Sequence, residues 1–231
     1  MTDHAPRPQR LQVLFQDAHL VVVDKPPGLL SVQPPRGQRG GEKDVEQVLR
    51  ILGIEAAPVH RLDRETSGVL LCARDASTRE QLMALFKGRA IRKRYLAIVQ
   101  GSPRADSGVW NFPIRDLGAH AEVSPAGQPA ETRWRILERA GVVVLMDLDL
   151  VTGRHNQARL HAAHAGMPIA GETKYALRRD ARLRHKRCAL HAASLELTLP
   201  WESEPRIFEA PLPEDMQRLL EKARHAGPAR S

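Results

Sequence analysis

The chain has 231 residues, 42% of them apolar and 27% charged, which is ordinary for a globular protein and enough to bury a sizeable core. No apolar run approaches the roughly 20 residues that cross a bilayer as a helix, and the polar, proline-bearing Met1–Arg10 lacks the apolar stretch of a signal peptide. Thirty-five Lys and Arg against 27 Asp and Glu leave a net charge of +8, and phosphate neutralisation by such residues points to a nucleic-acid partner.

Residues 11–24 alternate and then run apolar, which predicts two short strands around Asp17-Ala18. Residues 31–43 are rich in Pro, Gly and Arg and read as a mobile surface loop; no Gly-Lys-Ser/Thr follows its glycines, so it is no phosphate loop. Asp44 and Gln47 have capping-box spacing, and Val45, Val48, Leu49 and Leu52 continue a short amphipathic helix to Gly53.

His60-Arg61-Leu62-Asp63-Arg64-Glu65-Thr66-Ser67-Gly68 comes next and sets the Asp63 carboxylate between two arginines, ahead of a turn and the apolar run Val69–Leu71. Opposite charge nearby favours the ionised form of a carboxylate, and an ionised carboxylate can act as a nucleophile. Cys72 lies in the following strand, far from Cys188; the pair has no CxxC spacing and reads as free thiols of a reducing cytoplasm.

Ser77 with Glu80 is a second capping-box candidate, opening a helix through Leu82, Leu85 and Phe86 to Gly88. Residues 95–99, 132–137, 142–150 and 190–199 read as strands, 157–165 as a helix stopped by Gly166 and Pro168, and 213–223 as a C-terminal helix. Long strands with few alternating helices predict an α+β fold and not a doubly wound sheet. Basic residues cluster in Arg89–Arg94 and Arg178–Arg187, as if different loops assembled one nucleic-acid-binding surface. His155, His161 and His164 lie close together, but no carboxylate or cysteine completes a familiar metal spacing, so we expect no metal.

Five stretches resemble, in order, the RluA-type RNA pseudouridine synthases: Asp17–Leu29 with its Lys-Pro turn, His60–Gly68, Lys93–Gly101, Thr152–Gly171, and Leu190–Pro200, with Pro129–Thr132 between the third and fourth. The resemblance implies the pseudouridine synthase fold, a mixed and largely antiparallel central sheet with flanking helices and a catalytic cleft. It also implies isomerisation of uridine in ribosomal or transfer RNA, without a cofactor and with the base flipped from its stack. It implies that Asp63 is the catalytic carboxylate, attacking the ribose or removing a sugar proton. Tyr95 would pack on the base and assist proton removal from C5. Arg159 would pair with Asp63, and a guanidinium can do so bidentately. Arg61 would fill the space left by the flipped base or contact phosphate. His60, Arg64, Thr66, Arg154, Gln157 and Ala158 complete the expected substrate contacts.

The third motif departs from the family pattern Gly-Arg-Thr-His-Gln-Ile-Arg, reading Gly153-Arg154-His155-Asn156-Gln157-Ala158-Arg159. Asn156 exchanges hydrogen bonds but carries no positive charge, and Ala158 replaces a larger apolar wall. Glu172 stands where an aspartate is usual. These changes keep open a non-catalytic RNA-binding or ribosome-assembly factor on the same fold. A metal-dependent nuclease lacks its usual acidic cluster. We expect residues 11–224 to form one catalytic domain between flexible tails at 1–10 and 225–231, without the S4 RNA-binding domain of longer relatives. A cytoplasmic monomer acting on a stem-loop of ribosomal or transfer RNA is the expected state.

Overall fold

The computed structural model describes residues 10–34, 42–101, 103–118, 120–176 and 185–225. Residues 1–9 and 226–231 of the expected tails at 1–10 and 225–231, the middle of the 31–43 loop and most of the 178–187 cluster lie outside these residues. The first hairpin joins β1 (Gln12–Gln16) to β2 (Leu20–Lys25). Its break is set by Asp17, whose carboxylate accepts from the backbone N–H of His19 at 2.7 Å and Leu20 at 2.8 Å. Helix α1 (Val45–Ile51) carries the anticipated capping box, with Asp44 accepting from the Gln47 N–H at 2.8 Å and Gln47 accepting from the Asp44 N–H at 3.2 Å.

Then come β3 (Ala57–Pro58), β4 (Ser67–Ala73), α2 (Ala76–Lys87), β5 (Arg92–Gln100), β6 (Ser107–Trp110), β7 (Ile114–Asp116) and β8 (Ala121–Val123). The chain continues through β9 (Thr132–Ala140), β10 (Val143–Leu150), α3 (Gln157–His164), β11 (Leu190–Thr198), β12 (Pro205–Glu209) and α4 (Glu214–His225). The cap of α2 differs from expectation. Asp75, not Ser77, accepts from Thr78 N–H at 2.9 Å and from its hydroxyl at 2.7 Å. Helix α4 runs to His225, one residue into the expected tail.

One sheet of ten strands dominates, in the order β1-β2-β4-β11-β5-β10-β9-β6, with β12 added on β11 and β3 on β4; β7 and β8 pair separately. Among the described residues its ladders are antiparallel except β4 with β11. This is the expected α+β class. Strands β2 and β4 are buried along their whole length because helices cover both faces. Leu20 and Val22 pack with Leu82 of α2, while Val21 and Val23 pack with Val45 and Leu49 of α1. At the other end, β9 and β10 pack on Ala158 and Ala162 of α3 and on Met216, Leu219 and Leu220 of α4.

The parallel pairing puts three important positions in one row. Gly68 of β4 and Tyr95 of β5 are both register partners of Ala192 in β11. Gly68 has φ +114, and a Cβ there would lie 2.1 Å from the Ala192 carbonyl oxygen. Only glycine permits this approach, which brings the end of the Asp63 loop against β11, one strand away from Tyr95.

Candidate active site

The connection from β3 to β4 carries Asp63, and buried cations hold it from two sides. Lys25 is fully buried and donates to the carbonyls of Pro26 at 3.0 Å, Leu29 at 2.9 Å and Arg64 at 3.1 Å. Burial, with the Arg187 charge second, pushes its ammonium down to about 7. Arg187 is also buried; it donates to the carbonyls of Glu65 at 3.1 Å and Leu190 at 3.1 Å, and to the Ser67 hydroxyl at 3.3 Å. The same guanidinium holds Asp215 of α4 bidentately at 2.6 and 3.0 Å. Ser31 adds a third tie, exchanging hydrogen bonds with the Leu62 carbonyl at 2.9 Å and its N–H at 3.0 Å. A loop restrained this way can keep a side chain in reacting geometry.

Arg159, on α3, reaches Asp63 Oδ2 through Nη1 at 3.4 Å. Its bidentate partner is a different carboxylate: Glu172 accepts from Nε at 2.7 Å and from Nη2 at 2.9 Å. The contact with Asp63 is therefore single, because Arg159 spends its fork on Glu172. Glu172 is wholly buried and also accepts from the N–H groups of Lys174 at 2.7 Å and Tyr175 at 3.2 Å. Burial opposes its charge, but the Arg159 guanidinium and these N–H groups hold its carboxyl below the usual range. Burial likewise works against Arg159, and Glu172 outweighs it, so the guanidinium stays charged. The flanking Arg61 and Arg64 do not take this part. Arg61 is exposed at the cleft, and Arg64 turns to Glu42 at 2.7 Å and the Gly28 carbonyl at 3.2 Å.

Two adjoining cavities of about 90 and 220 Å³ share Arg61, Leu62, Asp63, Asn156 and Arg159 in their walls. Tyr95, Thr66, Arg154, Gln157 and Ala158 line the smaller one, and Arg64 the larger. Burial, and secondarily the Asp63 charge, pushes the Tyr95 phenol above its ordinary value, so the ring presents a neutral O–H. Gln157 uses its amide within the protein, donating to Glu131 and Thr132 and accepting from Thr152 and the Arg154 N–H. It therefore shapes the arginine loop instead of offering a free polar group.

His60 stands apart from both cavities. Its Nε2 accepts from the Leu71 N–H at 3.0 Å, its ring lies 4.4 Å from Phe86, and burial pushes its imidazole down to about 3. Its expected substrate contact has no counterpart in this arrangement. Part of each basic cluster is paired within the protein. Arg94 pairs with Asp147 at 2.8 Å and Arg92 with Asp149 at 3.2 Å, while His185 and Arg187 both face Asp215. Of the three clustered histidines, His161 bonds Thr132 and Phe112, His164 packs on Phe112 and His155 faces Asp116. Among the described residues no group of three or more His, Cys, Asp or Glu is placed to hold a metal. Sequence reasoning missed Lys25 and Arg187 as supports of the loop; the Asp24-Lys25 pair closing the apolar run Leu20–Val23 was the available signal.

A family model described as RNA pseudouridylate synthase matches residues 19–164, a span that contains Asp63, Tyr95 and Arg159. Ribosomal large subunit pseudouridine synthase D of Xanthomonas campestris is 37% identical over 242 residues, covering 96% of this chain and 72% of that protein. Ribosomal large subunit pseudouridine synthase C of Vibrio cholerae is 34% identical over 220 residues, covering 93% and 70%. The solved structure of human RNA Pseudouridylate Synthase Domain Containing 4 is similar with a TM-score of 0.74 and 27% identity, covering 92% of each chain. Human RNA Pseudouridylate Synthase Domain Containing 1, at 21% identity and a TM-score of 0.75, shares the fold.

Proposed function

Because the chain belongs to the RNA pseudouridylate synthase family and is an RNA pseudouridine synthase, we propose that its substrate is a stem-loop of ribosomal RNA, met in the cytoplasm, and that Asp63, Tyr95 and Arg159 carry the reaction. One observation supports the assignment most: Asp63 sits on a loop pinned by Lys25 and Arg187, with Arg159 at 3.4 Å and Tyr95 in the wall of the same cavity.

The isomerisation breaks the bond from N1 of uracil to C1′ of the ribose, turns the base, and joins C5 to C1′. N1 gains a proton and C5 loses one, so no redox partner is required. The reacting bond is inaccessible in a stacked helix, and the exposed Arg61 beside Asp63 suits the space a flipped base leaves. Whether Asp63 forms an ester with the sugar or takes a sugar proton, its negative charge is lost in that step. The Asp63 charge is one of the two causes that raise the Tyr95 phenol, so its loss makes Tyr95 easier to deprotonate when the C5 proton must leave.

The test is tritium release from C5-labelled uridine in ribosomal RNA lacking pseudouridine, run with wild type and Asp63→Ala in the presence of chelator. Release by wild type and none by D63A is expected. RNA binding without release by the wild type would overturn the assignment and favour a non-catalytic assembly factor.

A further inference from the structure

Asn156 precedes α3 with φ 54 and ψ 26, a left-handed conformation that asparagine tolerates better than most residues. It occupies the helix N-cap position, yet its side chain makes no cap bond to the helix. The amide spans two partners instead. One end lies 2.5 and 3.0 Å from the two Asp63 carboxylate oxygens; the other lies 2.6 Å from the Tyr175 hydroxyl and 3.2 Å from His155 Nε2. An amide oxygen against a carboxylate would oppose acceptor to acceptor, so the orientation is assigned with Nδ2 donating to Asp63 and Oδ1 accepting from Tyr175 and His155.

We infer that Asn156 is a positioning residue for Asp63, a neutral donor that fixes the carboxylate where Arg159 holds it only loosely. Arg159 is committed to Glu172, and its contact with Asp63 is the longer one at 3.4 Å. The amide is itself held by Tyr175, whose N–H bonds Glu172 and whose ring lies 5.4 Å from the Arg159 guanidinium carbon. Asp63, Asn156, Tyr175, Glu172 and Arg159 thus close a ring of contacts around the carboxylate. A histidine at this position, as in the family pattern, would change charge near neutral pH; asparagine does not.

This role rests on the reading that Asp63 carries the isomerisation, and the test separates the two. Asn156→Asp is nearly isosteric but places a second carboxyl against Asp63. Two carboxyl groups that close share one proton, so N156D should lose about 100-fold in kcat relative to wild type at pH 8, and that ratio should recover in part towards pH 5. N156A should lower kcat by about 10-fold with KM for the RNA within about threefold, and N156H, which restores a donor, should recover part of that loss. This pair decides the matter if N156D does not fold. N156D with wild-type kcat and pH profile, or N156A with unchanged kcat, would overturn the role. A wild type inactive on its RNA would overturn the functional reading and this role with it.

Discussion

Strand β5 separates two charge-dense regions. On one face Tyr95 meets the cleft; on the other, Arg92 and Arg94 join Arg133 and Arg135 around a depression of about 540 Å³ that also holds Asp147 and Asp149. The depression is the larger, yet the proposed chemistry lies in the smaller cleft. Its arginines are mostly exposed, and Asp147 has two of them as partners, Arg94 and Arg135, each at 2.8 Å. Losing one leaves the other. In the cleft Glu172 is wholly buried and Arg159 is only 11% exposed, and Arg159 has no second bidentate partner there. Desolvation, not the number of charges or the room around them, distinguishes a site from a surface ladder.

The most severe break in this comparison is Glu172→Ala. It strands a buried guanidinium, which should cost about 3–5 kcal/mol in urea unfolding and reduce tritium release to background. An intermediate effect concerns His191, fully buried, with Nε2 donating to the Ala210 carbonyl at 3.1 Å and Nδ1 accepting from Ser67 at 3.0 Å. Burial pushes its imidazole from 6.5 down to about 4. The unfolded chain takes up this proton first, so the contribution is complete above 6.5 and is lost as pH falls towards 4. At pH 5 the loss is about 2 kcal/mol, and His191→Gln should flatten the slope of unfolding free energy between pH 7 and 5 by that amount. The smallest effect is Arg135→Ala on the exposed face: stability within about 0.5 kcal/mol and unchanged tritium release. A large loss of release in R135A would make the depression part of the RNA path.

The strands legible in the sequence are those with a single burial regime. Val21–Val23 and Val69–Leu71 are buried on both faces and read as apolar runs, and Asp44 with Gln47 announced α1. The short β3, β6, β7, β8 and β12 were not anticipated, because two to five residues with mixed exposure give no period, and β12 opens on a proline. Asp75 and Ser77 each precede a plausible cap partner by three residues, and only tertiary context chooses between them. At the site, Asp63, Tyr95 and Arg159 were legible as motifs. The Glu172 clamp was not, since it depends on Gly171, where φ is +82 and a Cβ would lie against the Arg187 carbonyl. Asn156 was visible only as a departure, because its contact with Asp63 joins segments from different elements.

The place of β11 has a consequence for how the protein is made. It lies between β4 and β5, although β4 ends at Ala73, β5 at Gln100, and β11 begins only at Leu190. Until residues 190–198 leave the ribosome, those two strands have no common neighbour, and β5 and the Ser67–Gly68 start of β4 present unpaired edges. The long loops that must close before β11 inserts slow this step. A product truncated before residue 190 is therefore an aggregation-prone half-sheet and not a smaller enzyme, and completion of the sheet and assembly of Asp63, Tyr95 and Arg159 are one late event in synthesis.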